Sequence, residues 1–419
     1  MAPTLINEIC STCLGLITTA PISVLLLSVV VSAVGCYVLA YIILAAVSPV
    51  PRKPFAEEKT YRTITKDGSV TEPHPLPCWQ DTFEEERRRL KIASPDGLKP
   101  EPAELFMSVV VPAYNEESRL AGMLEEAVTF LEHAYGNKAN DKARSSHANG
   151  KPVDLQAQRK QKPRPIDPFV SKEKGWEILI VSDGSTDRTE EIAFSFAREH
   201  QLSAHPKAHA GPWSSDTTPR EGVRIPPGSI RVIKLAKNRG KGGAVVHGMR
   251  HVRGKYVVFA DADGASKFDD LSKLVAACQE IEDSEGRGVA VGSRAHMVGS
   301  EAVVKRSKLR NFLMHSFHFI LWLLTPPKTA MIKDTQCGFK LFSRTALPYI
   351  VPYMHLEGWI FDVEMLMLAE FARIPVAEVP VGWREVSGSK LNVLWDSIGM
   401  AYGLLVLRGS WMMGVYQRK

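Results

Sequence analysis

The chain has 419 residues, 45% hydrophobic and 23% charged, with 52 Lys and Arg against 46 Asp and Glu and a formal net charge of +6. That length holds two or three average domains, or one large α/β domain with additions. The mild basic excess suits phosphorylated ligands or an anionic membrane surface; with no zinc-finger spacing and no aromatic RNA-binding signature, it argues against a nucleic-acid-binding module.

No charged residue lies between Glu8 and Arg52, and Ile17 to Val47 is dominated by Leu, Ile, Val and Ala. This run is long enough to cross a bilayer with some tilt. A cleaved signal peptide would carry a shorter apolar region behind basic residues, whereas Met1 to Glu8 has no Lys or Arg. Arg52, Lys53, Lys59 and Arg62 follow the run, which predicts a signal anchor over residues 1–48 with the C-terminal bulk in the cytosol. The six cysteines read as free thiols, because Cys10-x-x-Cys13 has no second half and no flanking βαβ unit.

Residues 49–104 are proline-rich and charged, a juxtamembrane linker with one short helix around Thr82 to Lys91. The catalytic domain is expected over 105–390. Phe106 to Val111 is a short apolar run of the kind buried in parallel sheets, followed by a helix over Ser118 to Tyr135. Residues 136–175 are too polar to bury a core and read as a flexible insertion. Trp176 to Val181 is the second strand, and Asp187-x-x-Glu190 resembles a capping box. A second flexible insertion covers 203–229. Ile230 to Lys234, Lys255 to Ala260 and Gly288 to Gly292 complete five strands alternating with helical stretches. That alternation implies an α/β fold with a mostly parallel sheet flanked by helices.

Polar or glycine-rich turns fall at four successive strand ends: Val111-Pro-Ala-Tyr-Asn-Glu116, Ser182 to Asp187, Asn238 to Gly243, and Asp261-Ala-Asp263-Gly264. They would line one crevice at the carboxyl edge of the sheet. Asp261 and Asp263 lie i, i+2 and converge on one spot, as hard oxygen donors suited to Mg²⁺ or Mn²⁺ against a diphosphate. Asp183, Glu116 and Asp261 are candidate partners for a ribose and a base. Gly240, Gly242 and Gly243 would let backbone N–H groups approach phosphate oxygens, with Lys241 adding positive charge. The glycine cluster follows the third strand rather than the first and lacks Gly-x-Gly-x-x-Gly spacing, which disfavours a nicotinamide enzyme.

VVVPAYNE (109–116), SDGSTD (182–187), NRGKGGAV (238–245), DADG (261–264), GSR (292–294), DTQCGFK (334–340), GWIFDVE (358–364) and EVSGSK (385–390) together resemble the family 2 glycosyltransferases of the GT-A fold. The first four motifs are shared by many sugar-nucleotide transferases, while DTQCGFK and GWIFDVE are particular to the glucosyl branch. The resemblance implies a GT-A nucleotide-sugar-binding domain, an N-terminal transmembrane helix and C-terminal interfacial helices. It also implies inverting transfer of glucose from UDP-glucose to dolichyl phosphate on the cytosolic face of the endoplasmic reticulum membrane. Carried over by position, it assigns UDP-glucose contacts to Pro112, Tyr114, Glu116, Asp183, Lys241 and Asp261, and metal binding to Asp263 with Asp261 nearby. Related mannosyl enzymes can place a Gln two beyond the second Asp, but here Ala265 stands there. A GDP-mannose donor on the same scaffold, or a catalytically silent membrane-tethered scaffold, are the competing readings.

For the acceptor phosphate, Arg294 ends the fifth strand, Lys305, Arg306, Lys308 and Arg310 follow, and Lys390 lies in a later loop; guanidinium groups match a phosphate best. The apolar run Asn311 to Thr325 is too short to span and fits a buried or interfacial helix. Ile398 to Val415 is a second such run, interrupted by Arg408, within a C-terminal membrane-associated segment over 391–419. Asp334 is the candidate acid beside the reacting centre, or else a helix cap or structural hydrogen-bond acceptor. Asp362 and Glu364 would point to different faces of a helix, and Trp359 is a candidate for stacking on the sugar.

Overall fold

The computed structural model describes residues 21–92, 94–136, 174–214, 221–297, 319–388 and 393–418. They fall into two compact units, one within Met1–Pro49 and Leu405–Gln417 and one within Val50–Leu404 and Arg418–Lys419.

In the small unit, α1 (Ile22–Val47) is apolar throughout with no buried residue, and its length and mean hydropathy of 2.5 fit a membrane span. Its end packs on the last turns of α9 (Val393–Met412). Leu44 lies against Gly409, Ser48 and Ser410 share a hydroxyl–hydroxyl bond of 2.6 Å, and the Tyr416 hydroxyl donates to the Pro49 carbonyl at 2.8 Å.

The large unit is built on a seven-stranded sheet. In chain order its strands are β3 (Leu105–Ala113), β4 (Trp176–Ser182), β5 (Ile230–Lys234), β6 (Gly254–Ala260), β7 (Val289–Ser293), β8 (Phe339–Ser343) and β9 (Val376–Pro380). The spatial order is β5-β4-β3-β6-β8-β7-β9, and β8 alone runs against its neighbours. The strands expected from apolar runs all form, as the alternating βα pattern requires. β8 and β9, short strands with a charged residue inside each, Lys340 or Glu378, were not read from the sequence. Helices cover both faces, so the strands are buried on both sides, as in other parallel sheets: Val109, Ile178 and Val258 point one way, Val110, Leu179 and Phe259 the other, all without exposed surface.

The remaining helices are α2 (Trp79–Arg89), α3 (Leu120–Tyr135), α4 (Thr189–Leu202), α5 (Gly240–Met249), α6 (Leu271–Ile281), α7 (Pro327–Ala330) and α8 (Phe361–Phe371). At the start of α4 the expected capping box is only half formed. Asp187 accepts the Thr189 N–H at 3.0 Å, but Glu190 accepts from Ser182 in the neighbouring strand instead of reaching back.

Residues 49–104, read as a linker, pack onto the sheet's β5 side. The short strands β1 (Thr60–Tyr61) and β2 (His74–Pro75) pair there, Arg62 bridges Val232, and the Trp79 indole donates to the Met249 carbonyl at 2.6 Å. The stretch 203–229, expected to be a flexible insertion, also packs on the body in its described residues. Its Trp213 indole donates to the Gly264 carbonyl at 3.1 Å, and Arg384 stacks on the Trp213 ring at 4.4 Å. The other insertion falls almost wholly outside the described residues.

Because β8 is antiparallel, its first residue lies at the edge where its neighbours end: Ala260 pairs with Phe339. The carboxyl ends of β3, β4, β5, β6 and β7 and the lead-in to β8 therefore meet at one rim.

Candidate active site

The first two turns are stitched together. Asn115 takes a left-handed conformation (φ +55°) that few non-glycine residues adopt, and its side-chain oxygen accepts the Thr186 N–H at 2.7 Å. The Thr189 hydroxyl accepts the Glu116 N–H at 2.7 Å, and Asp187 accepts the Glu117 N–H at 3.1 Å. This leaves Pro112 partly covered and Tyr114 exposed at the rim.

Asp183 is buried and accepts the Arg239 N–H at 2.7 Å. Burial pushes its carboxyl up to about 6 against the lowering effect of that hydrogen bond. The glycines at 240–243 are required for a reason other than the expected one. A Cβ on Gly240 or Gly242 would meet the carbonyls of Glu357 and Leu356 within 2.6 and 2.8 Å, so the 356–358 loop lies directly on the start of α5. The N–H of Gly243 donates to the Glu357 carbonyl at 3.1 Å and that of Gly240 to the Asn238 side chain at 2.9 Å. The first of these bonds ties α5 to the loop, and the second closes a local turn at 238–240.

Asp261 and Asp263 both stand at the end of β6, partly exposed. Lys241 lies 2.7 Å from Asp261 and 5.8 Å from the centre of the Trp359 ring. Burial opposes the charge on Lys241, but Asp261, Asp362 and Asp263 outweigh it and hold the ammonium pKa above its ordinary value. Burial and the like charge of neighbouring Asp261 push the Asp263 carboxyl up, against the lowering pull of Arg119 and Lys241. Ala265 contributes only its N–H, which donates to Asp263 at 3.0 Å. The lead-in to β8 closes over the pair: a Cβ on Gly338 would come within 2.0 Å of an Asp261 oxygen.

Arg294 and Asp334 are brought together at the adjacent strand ends. The guanidinium donates from Nε and Nη2 at 2.7 and 2.9 Å to the two carboxylate oxygens, and the Arg294 backbone N–H adds a third bond at 2.8 Å. In spite of burial, Arg294 holds the Asp334 carboxyl below its usual range. Both Asp334 oxygens are engaged, and the residue orients Arg294. Arg306, Arg310 and Lys390, with Lys305 and Lys308, lie outside the described residues.

Three residues of the site carried no sequence signal that was read. Arg119 forks onto both Glu116 oxygens at 2.7 and 2.6 Å and stands 3.8 Å from Asp263; its i+3 spacing from Glu116 was the available clue. Arg239 pairs with Glu357. Lys340, fully buried, donates to Asp362 at 2.5 Å and to the Cys337 carbonyl at 2.6 Å, joining DTQCGFK to GWIFDVE. Asp362 thus faces the site from behind, while Glu364 turns away to accept the N–H groups of His355 and Leu356 at 2.9 and 2.7 Å. Among the described residues, no cluster of three or more His, Cys, Asp or Glu is arranged to hold a metal by itself.

Residues 214–347 match the model of Glycosyl transferase family 2. A curated Saccharomyces cerevisiae protein named dolichyl-phosphate beta-glucosyltransferase is 38% identical over 383 residues, 90% of this chain and 91% of that one. Proteins of the same name from Drosophila melanogaster and Homo sapiens are each 36% identical, over 79% and 74% of this chain and 84% and 77% of theirs. Among solved structures, glucosyl-3-phosphoglycerate synthase from Mycobacterium tuberculosis, in complex with Mn²⁺, UDP-glucose and phosphoglyceric acid, is 15% identical. It covers 80% of this chain and 86% of its own with a TM-score of 0.42, too loose a superposition to bear on the site.

Proposed function

The chain belongs to the dolichyl-phosphate β-glucosyltransferases of glycosyltransferase family 2, and on that premise we propose that it transfers glucose from UDP-glucose to dolichyl phosphate with inversion, at the cytosolic face of the endoplasmic reticulum membrane. One observation carries the placement of the chemistry: Asp261 and Asp263 at the tip of β6, with Lys241 at 2.7 Å and Gly338 pressed against Asp261.

Asp261 and Asp263 fit a divalent cation, Mg²⁺ or Mn²⁺: they are adjacent hard-oxygen donors, and each already draws a cationic side chain to itself. Such an ion, when bound, neutralises diphosphate charge and eases departure of UDP. With Ala265 offering no side-chain donor, diphosphate oxygens, water or another side chain would supply the rest of the coordination.

The chain's own residues align donor and acceptor. Asp183 accepts hydrogen bonds from the nucleoside, Pro112 and Tyr114 line its entrance, and Glu116 is fixed in place by Arg119. Lys241 sits where negative charge grows on the leaving diphosphate, with Trp359 beside it to stack on glucose. Arg294, oriented by Asp334, takes the acceptor phosphate together with Arg306, Arg310 and Lys390. A phosphate monoester with a second pKa of about 6 is already anionic in the cytosol, so no general base is needed. That agrees with an Asp334 engaged at both oxygens. Attack opposite the α-linked UDP yields the β-linked glucosyl lipid.

The membrane-borne acceptor accounts for the apolar surfaces. α1 anchors the chain, and the exposed Trp395, Ile398, Tyr402, Leu405 and Met412 recur at helical spacing along α9, as suits a helix lying in the head-group region. Radiolabelled transfer to dolichyl phosphate from UDP-glucose, with GDP-mannose as competitor, tests the donor. Undiminished glucosyl transfer is expected, and transfer of mannose in its place would contradict the reading.

A further inference from the structure

Resting on the reading that a divalent cation joins Asp261 and Asp263, we propose that Arg119 is a latch: it stands in for the ion on Asp263 and ties the ion site to the loop at 385–388. Arg119 immediately precedes the first turn of α3, and its guanidinium is mostly covered. Nε and Nη2 are fixed by the two oxygens of Glu116. The remaining terminal nitrogen, Nη1, is thereby aimed at a single spot. There it meets two groups, Asp263 at 3.8 Å and the Ser387 carbonyl at 3.3 Å.

The three contacts make one rigid fork, because a planar guanidinium cannot move one edge without the other. A doubly charged ion arriving at Asp263 repels Nη1 at short range. Glu116, itself buried, holds the opposite edge. The guanidinium therefore turns about that edge, and the contact with Ser387 is the one given up. Residues 382–384, just before the loop, stay in place: Lys267 donates to the Gly382 carbonyl at 2.9 Å, and Arg384 to the Ala265 carbonyl at 2.9 Å. The chain is thus fixed at 382–384 beside the ion site, and its tie from Ser387 to Arg119 is given up when the ion binds. Arg119 is a positioning residue by this argument, acting through Asp263, Glu116 and the loop.

The test uses the full-length chain in detergent micelles and Mn²⁺ alone, with free Mn²⁺ followed by electron paramagnetic resonance. R119Q removes the competing charge and is expected to bind Mn²⁺ at least about threefold more tightly than wild type. R119K keeps the charge and is expected to stay within about twofold of wild type. Hydrogen exchange over 385–388 should speed up when Mn²⁺ is added to wild type, and be fast with or without Mn²⁺ in R119Q. A role confined to holding Glu116 would instead weaken Mn²⁺ binding in R119Q, and that result, or exchange indifferent to Mn²⁺ in wild type, overturns the latch. If Mn²⁺ binds wild type and is lost in D263N while R119Q binds no more tightly, the latch alone falls. If wild type binds no Mn²⁺, the ion reading falls and the latch with it. Should R119Q not fold, the exchange response of wild type decides.

Discussion

Asp183 is the residue whose surroundings have the clearest consequence in solution. It is 3% exposed, and burial raises its carboxyl to about 6. Because the folded-state value lies above the ordinary carboxylate range, the cost of burying the charge weighs on the fold above about pH 6 and lifts as pH falls through it. Donor binding runs the other way, since protonation removes the anionic acceptor. The KM for UDP-glucose is expected to rise roughly tenfold between pH 7 and pH 5 in wild type, and to be flat over that range in Asp183→Asn, as steady-state kinetics would read. At Asp263 the expectation is simpler: Asp263→Asn lowers kcat/KM by on the order of a hundredfold or more, while circular dichroism stays unchanged. These residues were legible in the sequence because polar or glycine-rich turns fall at four successive strand ends; two carboxylates alone would have read as a solvated loop. Arg119 was not, because an arginine near a glutamate reads as an ordinary surface pair until the fold brings Asp263 and Ser387 to it.

Between elements, the lead-in to β8 decides the architecture of the site. A Cβ on Gly338 would collide with the Asp261 carboxylate, so Gly338→Ala is expected to displace Asp261 and abolish Mn²⁺ binding while leaving the sheet formed, measurable by metal titration beside far-ultraviolet circular dichroism. One strand further in, Lys340 and Asp362 hold β8 to α8, both of them buried. Lys340→Met alone leaves a carboxylate uncompensated and is expected to cost about 3–5 kcal/mol in denaturant unfolding, with most of it recovered in the Lys340→Met/Asp362→Asn double variant. This pair explains why DTQCGFK and GWIFDVE stand out as motifs: they are two halves of one contact. The sequence showed both motifs without showing that they touch, because contact between residues 340 and 362 depends on β8 entering the sheet antiparallel. A five-residue strand with a lysine as its second residue carries no pattern that announces this.

For the whole molecule, an apolar helix near the N-terminus and the proposed phosphate site at the rim of the sheet each suit the proposed membrane-borne acceptor. The candidate span was legible from the sequence as a charge-free apolar run long enough to cross a bilayer, with no basic residues before it of the kind a signal peptide carries. The packing of residues 49–104 and of the 203–214 stretch onto the body was hidden, because both are polar and proline-containing and are anchored by a few residues such as Trp79 and Trp213. Transfer itself is the most direct test of the central claim that a cation held by Asp261 and Asp263 draws charge from departing UDP while a lipid phosphate attacks from the far side. Purified chain is incubated with labelled UDP-glucose, dolichyl phosphate and Mn²⁺, then stripped with EDTA and resupplied, and the linkage of the glucosyl lipid is read by nuclear magnetic resonance. The expected result is a β-linked product whose formation stops on chelation and resumes with the metal; undiminished turnover after complete chelation, or an α-linkage, would contradict it.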